Sequence, residues 1–547
     1  MKSLTRSLVA LAGAAACVSS AAAGPVTYSI LATSGQSAPG LNGITFDAVA
    51  DPRIDDLGHV VFWARLTGTG VTTSNDGSLW TNRSGALALL IRESDPVPGS
   101  ADLYVGLGTP AWSNTGQLAL TASLGSGAFS YPTNLGQLIE TGGPLAVITR
   151  ESAQVPVLGL LSLNDSGAAI FRAGDGSALF STRSGPVASI VKAGDPAPGA
   201  SNAAATFLVL GQPTQNVLGA TAFWATVTYP GQTVPESGIW SDAGGLHLVA
   251  RTGQQAPGLN ANVVFADLDT TPRLDMNGNV AFWARVSGPA VGTANDGSVW
   301  RTAFGVPQIV AREGASAPGV SGATIAELAR HVQQSDSSLM LFWGSMIGAG
   351  VDSTSNSAIW SNDAYAGLAL VAREGAQVPG LAAGVNFGVL GRPGLTPTGR
   401  VAFTTSLRSA SGLPQTSTFA LIATDGRGTQ YPIARTGDPF TIGPGDTRTI
   451  AQIVFDQGDP QSGYIQFSTS GTLVFKLGFT NNTSALVSAR IALCLADFNG
   501  DGFSNGIDFD EFTRAFSTAD PSADINGDSF VNGVDFDLFT TAFEQGC

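Results

Sequence analysis

Residues 275–285 read Asp-Met-Asn-Gly-Asn-Val-Ala-Phe-Trp-Ala-Arg, a turn sequence that leads into a short apolar run. The same arrangement, a glycine followed four residues later by a large apolar residue, recurs along the chain. Seven copies are Gly58/Phe62, Gly116/Leu120, Gly167/Phe171, Gly219/Phe223, Gly278/Phe282, Gly399/Phe403 and Gly463/Phe467. An eighth copy, Ser338/Phe342, has serine in place of glycine. This internal repetition predicts an architecture of stacked or radially arranged units.

Each unit contains about four short strands separated by turn residues. The apolar run is followed by a loop and a strand that ends in tryptophan, and then by a strand and a Pro-Gly turn such as Leu248–Gly258. Strands such as 61–64 are apolar on both faces, which is typical of sheets buried between neighbouring sheets. Four such strands are the content of one propeller blade. The sequence therefore predicts an all-β fold, a β-propeller of about eight blades, with seven as the alternative count.

Two further observations bear on the blade count and on ring closure. Residues 52–65 match 272–285 more closely than any other pair of units, which suggests a four-plus-four duplication and favours eight blades. The segment Tyr28–Thr33 resembles the last strand of a unit, so we predict that it pairs with the final blade and closes the ring. Closure hides the strand edges that a linear array exposes. An open β-solenoid is the alternative.

The repeat domain contains no recognisable catalytic motif. Neither HExxH, nor a nucleophile elbow, nor a Cys/His cluster occurs. The chain has three histidines, His59, His247 and His331, and their scatter favours structural or surface roles. Paired carboxylates for glycoside chemistry remain an open alternative, because the sequence does not give their separation in space.

Several recurring polar and aromatic residues are interpreted as structural. Asp55, Asp56 and Asp275 suit Asx-turn capping, and the loops at Asn75 and Asn295 suit tight turns. Eight of the nine tryptophans occupy two repeat positions, which predicts packing between blades. One strand position repeatedly carries arginine, namely Arg92, Arg150, Arg251, Arg312, Arg373 and Arg435.

The N-terminus predicts export. Lys2 and Arg6 precede an apolar run, Leu8–Val18, and a small-residue cleavage site follows, so residues 1–23 are a predicted signal peptide. A lipoprotein that uses Cys17 is a minor alternative. Residues 24–490 form the predicted propeller domain, and no later stretch is apolar enough to cross a bilayer. The formal net charge of −15, without a basic stripe, argues against nucleic-acid binding.

The last part of the chain, residues 491–547, holds two copies of a short acidic pattern. Each copy places oxygen-bearing residues at positions 1, 3, 5, 7, 9 and 12 of a calcium-binding loop. The predicted ligands are Asp497, Asn499, Asp501, the carbonyl of Phe503, Asn505 and Asp508 in the first loop, and Asp524, Asn526, Asp528, the carbonyl of Phe530, Asn532 and Asp535 in the second. Oxygen ligands select Ca²⁺, and two ions are expected. Ser529 stands where the first loop has Gly502, so the second site is expected to be weaker.

With aspartate at position 12 and predicted helices only after each loop (509–516 and 536–543), this region resembles a dockerin. The flanking Cys494 and Cys547 resemble the GC-type dockerin of exported bacterial proteins. The repeat region is loosely similar to the propeller-like regions that such proteins carry. The resemblance implies calcium-dependent folding and docking to a cohesin-like or other cell-surface receptor. Gly506-Ile507 and Gly533-Val534 stand where a Ser-Thr type recognition pair is usual, which is a departure from the family pattern.

Cys494 and Cys547 are the only cysteines after the signal peptide, and export predicts that they form a disulfide. The function expected from the whole sequence is that of a secreted or cell-surface protein. Its propeller is expected to be a non-catalytic binding or structural domain with a glycan or protein ligand, held in place by the calcium-binding module. The alternative is a carbohydrate-active enzyme, a glycoside hydrolase or polysaccharide lyase, on a propeller scaffold.

Overall fold

The structure of the protein is a computed structural model. The structure describes residues 26–125, 135–140, 145–151, 158–363, 367–396, 398–409, 414–425, 428–455, 466–491, 495–496, 498, 504–525 and 530–545. The predicted signal peptide, residues 1–23, lies outside these ranges, as does Cys17. By its contacts the chain divides into two compact units, of which one is Tyr28–Ile491 and the other contains Ala492–Cys547.

The larger unit is an eight-bladed β-propeller. The described chain begins with β1 (Val26–Thr33), which belongs to the last blade. Blade 1 contains β2 (Ile44–Ile54), β3 (Val60–Gly68), β4 (Gly77–Thr81) and β5 (Ala88–Arg92). Blade 2 contains β6 (Leu103–Leu107), β7 (Ala111–Trp112), β8 (Leu118–Gly125), β9 (Leu135–Ile139) and β10 (Ala146–Arg150). Blade 3 contains β11 (Leu158–Leu163), β12 (Ala169–Ala173), β13 (Ala178–Ser181) and β14 (Ala188–Lys192).

Blades 4, 5 and 6 have the same order of strands, in which a two-residue strand follows the first strand of the blade. Blade 4 contains β15 (Thr206–Leu210), β16 (Thr214–Gln215), β17 (Thr221–Thr228), β18 (Glu236–Ser241) and β19 (His247–Arg251). Blade 5 contains β20 (Val264–Leu268), β21 (Arg273–Leu274), β22 (Val280–Ser287), β23 (Gly297–Ala303) and β24 (Val306–Arg312). Blade 6 contains β25 (Ala323–Leu328), β26 (Gln333–Gln334), β27 (Met340–Gly348), β28 (Ser357–Asp363) and β29 (Gly367–Arg373).

The last two blades complete the ring. Blade 7 contains β30 (Val385–Leu390), β31 (Gly394–Leu395), β32 (Val401–Ser409), β33 (Pro414–Thr424) and β34 (Gln430–Arg435). Blade 8 contains β35 (Pro439–Gly443), β36 (Asp446–Val454), β37 (Thr472–Phe479) and β38 (Ser484–Ile491), with β1 paired to β38. Strands that neighbour each other within a blade run antiparallel.

Ring closure occurs as the sequence predicts. The strand β1 takes the edge of blade 8 beside β38, and the Ser34 N–H donates to the Ser484 carbonyl at 2.9 Å. The Tyr28 hydroxyl donates to the Ile433 carbonyl at 2.7 Å, and burial raises the pKa of this tyrosine to about 12. The first and last strands of the propeller therefore share one sheet, and the β-solenoid alternative is wrong.

Among the described residues, clusters of buried apolar side chains lie between adjacent sheets, and one of them joins Ala222 of blade 4 to Phe282 and Trp300 of blade 5. Trp80, Trp240, Trp300 and Trp360 occupy one position on the third long strand, and all four are fully buried. In blade 5 the Trp300 ring meets Phe265 edge-on with a centroid distance of 5.0 Å. The predicted packing role of these tryptophans is confirmed.

One expected repeat position is wrong. Gly463 lies outside the described residues, and Phe467 precedes the turn of blade 8 instead of following it. The residue pair equivalent to Gly58/Phe62 is Gly471/Phe475, because the Gly471 N–H donates to Ser468 and Gly471 has the positive φ of 83° found at Gly58 (86°). In blade 6 Ser338 adopts the same left-handed conformation, with φ of 67°, and its hydroxyl donates to the Asp275 carboxylate of blade 5.

The C-terminal unit contains two helices, α1 (Gly506–Ser517) and α2 (Gly533–Gln545), with a short 3₁₀ helix, Pro521–Ala523, between them in sequence. Phe512 and Phe539 are fully buried and stack at 3.9 Å, so the helices pack through phenylalanine side chains. No helix among the described residues is both long enough and apolar enough to cross a membrane.

Candidate functional site

A tight turn precedes the second long strand of every blade. Its first residue is Asp, Asn, Ser or Thr, and the side-chain oxygen of that residue accepts a hydrogen bond from the N–H four residues later. For example, the His59 N–H donates to Asp55 Oδ1 at 2.7 Å and the Asn279 N–H donates to Asp275 Oδ1 at 2.8 Å. The first residues of these eight turns, which we call the turn ring, are Asp55, Ser113, Asn164, Asn216, Asp275, Ser335, Thr396 and Ser468. The Asx-turn interpretation of Asp55 and Asp275 is confirmed.

Hydrogen bonds join neighbouring turns of the ring. Asn164 Nδ2 donates to the Asn216 carbonyl at 3.0 Å, and Asn216 Nδ2 donates to the Asp275 carbonyl at 2.9 Å. Between blades 8 and 1, the Thr469 N–H donates to Asp56 Oδ1 at 2.9 Å. These polar side chains therefore bind one blade to the next, a role that requires no ligand.

Two aspartates, Asp165 and Asp336, directly follow the turn-ring residues Asn164 and Ser335. Asp165 belongs to blade 3 and Asp336 to blade 6, yet the charge of Asp165 acts on Asp336. Burial above all, and then the charges of Asp165 and Asp275, raise the pKa of Asp336 to about 6.

This raised pKa predicts a pH-dependent stability. The folded state binds the Asp336 proton more tightly than the unfolded state. The protonated Asp336 therefore adds to the free energy of unfolding in full below about pH 4, and this contribution is lost as the pH rises through about 6. Asp336→Asn should therefore be more stable than wild type at pH 8, by roughly 1–2 kcal/mol after allowance for partial exposure, with no gain at pH 4. Urea denaturation at both pH values measures the difference.

Asp352→Asn is the matched control, since hydrogen bonds from Thr354 lower the pKa of this exposed carboxylate and its removal should bring no gain at pH 8. An equal effect of Asp336→Asn at pH 4 and pH 8 would contradict the prediction.

The three histidines lie apart and have structural contacts. His59 Nδ1 lies 2.8 Å from Asp55 Oδ2, His247 Nδ1 lies 2.8 Å from the Gly245 carbonyl, and the His331 ring stacks on Trp343 at 6.3 Å. Within the described part of the chain, no three His, Cys, Asp or Glu side chains form a group suited to a metal ion. These contacts agree with the structural interpretation of the histidines, which stays a prediction.

The recurring arginine is also structural. The Nε groups of Arg92 and Arg312 donate to the carbonyls of Asn75 and Asn295 at 2.7 and 2.8 Å, and so fasten the fourth strand to the loop that precedes the third. The Asn75 side chain accepts the Thr72 N–H at 2.7 Å, as expected of a tight turn.

The glutamates that follow these arginines were not identified as functional by sequence reasoning. Glu313 accepts the N–H of Gly297 at 2.7 Å within blade 5 and the N–H of Leu328 at 3.0 Å in blade 6. Glu93 accepts the Gly77 N–H at 2.8 Å in the same way. Burial raises the pKa of both carboxyl groups. The Arg-Glu dipeptide of the repeat was the available signal for this contact between blades.

In the C-terminal unit, both helices begin where the predicted calcium loops end. At α1 the Asn505 side chain accepts the Ile507 N–H at 2.8 Å, and Asp508 Oδ2 accepts the Asn505 N–H at 2.9 Å, which together form a capping box. At α2 Asp535 accepts the Asn532 N–H and the Ile525 N–H, both at 2.8 Å. Asp508 and Asp535 have no exposed surface. The two position-12 carboxylates thus occupy equivalent, fully buried places.

The other predicted ligands divide between described and undescribed residues. Asn532 Nδ2 donates to the Phe530 carbonyl at 3.2 Å, so positions 7 and 9 of the second loop lie together. Asp524 lies one residue before Ile525, whose N–H contacts Asp535. The following predicted residues lie outside the described part: Asp497, Asn499, Asp501, Phe503, Asn526, Asp528, Cys494 and Cys547. The disulfide therefore stays a prediction.

One protein-family model, described as a family of unknown function (DUF7453), matches residues 23–332 and 327–493. The chain belongs to DUF7453. The matched residues include every strand from β1 to β38, and α1 and α2 lie beyond them. The DUF7453 match thus corresponds to the propeller. Among proteins of curated function, none matches the chain.

Solved structures with a similar fold differ widely in sequence. The chain is similar to Porphyromonas gingivalis dipeptidyl peptidase 4, with 10% identity and a TM-score of 0.42, over 79% of this chain and 58% of the peptidase. It is also similar to oligogalacturonate lyase from Vibrio parahaemolyticus, with 10% identity and a TM-score of 0.37, over 82% of this chain and 98% of the lyase. The chain spans little more than half of the peptidase, and neither likeness carries a functional argument for this DUF7453 member.

Proposed function

We propose that the protein is an exported, non-catalytic binding or structural propeller that is held at the cell surface by a calcium-binding, dockerin-like C-terminal module. The observation that carries the proposal is the pair of fully buried carboxylates, Asp508 and Asp535, each at the end of a loop with calcium-ligand spacing. A buried carboxylate needs a compensating charge or strong hydrogen bonds.

The charge balance of the module supports a bound cation. From Cys494 onward there are eleven acidic residues against one basic residue, Arg514, a difference of −10. Arg514 lies 3.9 Å from Glu511 on the exposed side of α1, away from the buried carboxylates. Ca²⁺ would supply positive charge to the loops, with Asp508 and Asp535 as two of its oxygen ligands.

The proposal predicts binding of two Ca²⁺ ions by the full-length protein in calorimetry, each with a Kd of about 10⁻³ M or tighter. Asp508→Asn keeps the size of the side chain and removes its charge, so we expect at least about tenfold weaker binding at the first site only. Asp535→Asn should affect only the second site.

Asp510→Asn is the matched control, since Asp510 is exposed on α1 and lies outside the ligand spacing. Absence of calcium heat from the wild-type protein, or equal effects of the Asp508 and Asp510 variants, would refute the metal proposal.

A surface receptor is the proposed partner of the module. Ile507 and Val534, at position 11 of the two loops, are 57% and 53% exposed. Exposed apolar side chains at equivalent places on two loops suit a protein-binding surface. We therefore expect calcium-dependent capture of a cohesin-like or other receptor from native cell envelope, and its loss when Ile507→Glu and Val534→Glu are combined. Capture that persists in chelator would count against docking.

A carbohydrate-active enzyme is the second candidate. Its catalytic pair would be Asp336 and Asp165, because burial and then the charge of Asp165 raise the pKa of Asp336 to about 6, which suits a general acid. Release of reducing ends or unsaturated uronate from polysaccharides, abolished by Asp336→Asn, would support this candidate. Activity that survives in Asp336→Asn would exclude the pair as its catalytic centre.

A further inference from the structure

A cavity of about 550 Å³ lies at the junction of blades 1 and 2. Trp63 of β3 forms part of its wall, together with two acidic residues, Asp51 and Glu93. Blade 2 contributes small polar side chains, Thr109, Thr121 and Ser123. An aromatic face, two carboxyl groups and open volume thus meet at one junction between blades.

The junction of blades 5 and 6 shows what fills the corresponding space elsewhere in the propeller. There the guanidinium carbon of Arg330 lies 4.6 Å from the ring centroid of Trp283. Arg330 also pairs with Asp267 at 2.8 Å, and Trp283 is only 5% exposed. The propeller therefore seats one of its own guanidinium groups between a tryptophan face and a carboxylate.

Strand register establishes that the two junctions correspond. Trp63 and Trp283 follow the equivalent residues Phe62 and Phe282, each of which pairs with a buried tryptophan of the next strand. In the following blade, the Gly108 N–H donates to the Thr121 carbonyl at 3.0 Å, just as the Ala329 N–H donates to the Trp343 carbonyl at 2.9 Å.

Three replacements follow from this register and account for the cavity. Thr109 takes the place of Arg330, Thr121 takes the place of Trp343, and Gly106 takes the place of Glu327, as their pairing with Ser123 and Ser345 shows. All three residues are smaller than their blade 6 counterparts. The cavity is thus the volume that blade 6 fills with its own side chains.

The cavity keeps the tryptophan of the filled junction, whereas Ala48 stands at the position of Asp267, so the carboxyl groups here are those of Asp51 and Glu93. Trp63 offers a ring face that attracts cations. Asp51 is exposed, and among the described residues no arginine or lysine forms an ion pair with it. Its backbone adopts a left-handed conformation with φ of 50°, which aspartate tolerates better than most residues and which marks a constrained position. Glu93 is held in place by the Gly77 N–H.

We propose that this cavity binds the guanidinium group of an arginine side chain supplied by a partner protein. Trp63 would contact the planar face of the guanidinium, and Asp51 would balance its charge. Planar guanidinium groups both stack on aromatic rings and pair with carboxylates, whereas ammonium groups are more strongly hydrated and stack less well. The site belongs to the propeller alone and does not depend on the calcium-binding module.

Calorimetry of the full-length protein with N-acetyl-arginine amide tests the proposal. We expect weak binding, in the millimolar range, and at least about tenfold weaker binding of N-acetyl-citrulline amide, a neutral analogue of similar shape. Thr109→Arg places a guanidinium group at the position of Arg330 and should fill the cavity, weakening binding at least about tenfold with unchanged thermal unfolding. Thr109→Ala, the matched control, should bind like wild type.

Two further measurements, with a calcium chelator and with a carbohydrate probe, separate the arginine proposal from its alternatives. Chelation of calcium should leave arginine binding unchanged, so a failed calcium proposal and a failed arginine proposal are distinguishable. No binding of the arginine probe, equal binding of the citrulline probe, or unaltered binding in Thr109→Arg would each overturn the proposal. Binding of cellotriose in place of the arginine probe would assign the cavity to carbohydrate and would overturn it as well.

Discussion

A chain that begins at Ser34, and so lacks β1, should lose most of the stability of blade 8 and should self-associate. In the complete propeller β1 covers the edge of β38, and Ala32 is fully buried. Its removal exposes the backbone groups of β38 to water, and each backbone hydrogen bond lost in this way costs about 0.5–1.5 kcal/mol. An exposed apolar strand edge is also a template for pairing with another chain.

Light scattering and urea denaturation measure these effects, with a chain that begins at Val26 as the control. The shorter chain should unfold at clearly lower urea concentration and should form concentration-dependent oligomers. A synthetic peptide of residues 26–34, added in excess, should restore both properties because it supplies the missing strand. A monomeric short chain with the urea midpoint of the control would contradict the closure described for blade 8.

Trp300→Ala should be among the most damaging single substitutions in the propeller core. The ring is fully buried against Phe265, and its Nε1 donates to Ser298 Oγ at 2.8 Å, which in turn donates to the Ala284 carbonyl at 2.8 Å. Removal leaves a large cavity and breaks this short chain of hydrogen bonds. Comparable substitutions destabilise proteins by about 3–5 kcal/mol, which urea denaturation would detect as a fall in midpoint.

Phe304→Ala is the matched control, because Phe304 lies four residues away in sequence and is fully exposed. Its substitution should change the free energy of unfolding by no more than about 0.5 kcal/mol. A Trp300→Ala effect below about 1 kcal/mol would show that blade 5 relaxes around the lost ring.

The sequence predicts the fold well where the repeat is regular, because turn glycines and alternating burial leave the same pattern in each blade. It fails in blade 8, where Gly463/Phe467 has the same spacing as the true pair, Gly471/Phe475. Spacing alone does not separate the two pairs, whereas positive φ and the Ser468 turn do. In blade 6 the turn keeps its left-handed conformation without glycine, because the Ser338 hydroxyl donates a hydrogen bond to Asp275 of the neighbouring blade.

The candidate sites differ in how much of each can be predicted from the sequence. The calcium loops depend on local spacing, so their ligands could be named residue by residue. The cavity beside Trp63 depends on residues of two blades, and its volume reflects the absence of an arginine such as Arg330. Trp63 and Trp283 occupy the same repeat position in the sequence. The residues around each ring, however, come partly from the next blade. Such differences become visible only when equivalent junctions are compared.

The pairing of β1 with β38 also means that two paired strands are synthesised far apart in time. Ser34 and Ser484, which join the two ends of the ring, are 450 residues apart in the chain. At a synthesis rate of about 5–20 residues per second, roughly 25–90 s pass between the appearance of the first strand and that of its partner. During this interval β1 can pack against blade 1 but has no strand to pair with, and blade 8 cannot be completed. Blade 8 is therefore the sheet in which the first and the last strands of the propeller to be synthesised meet.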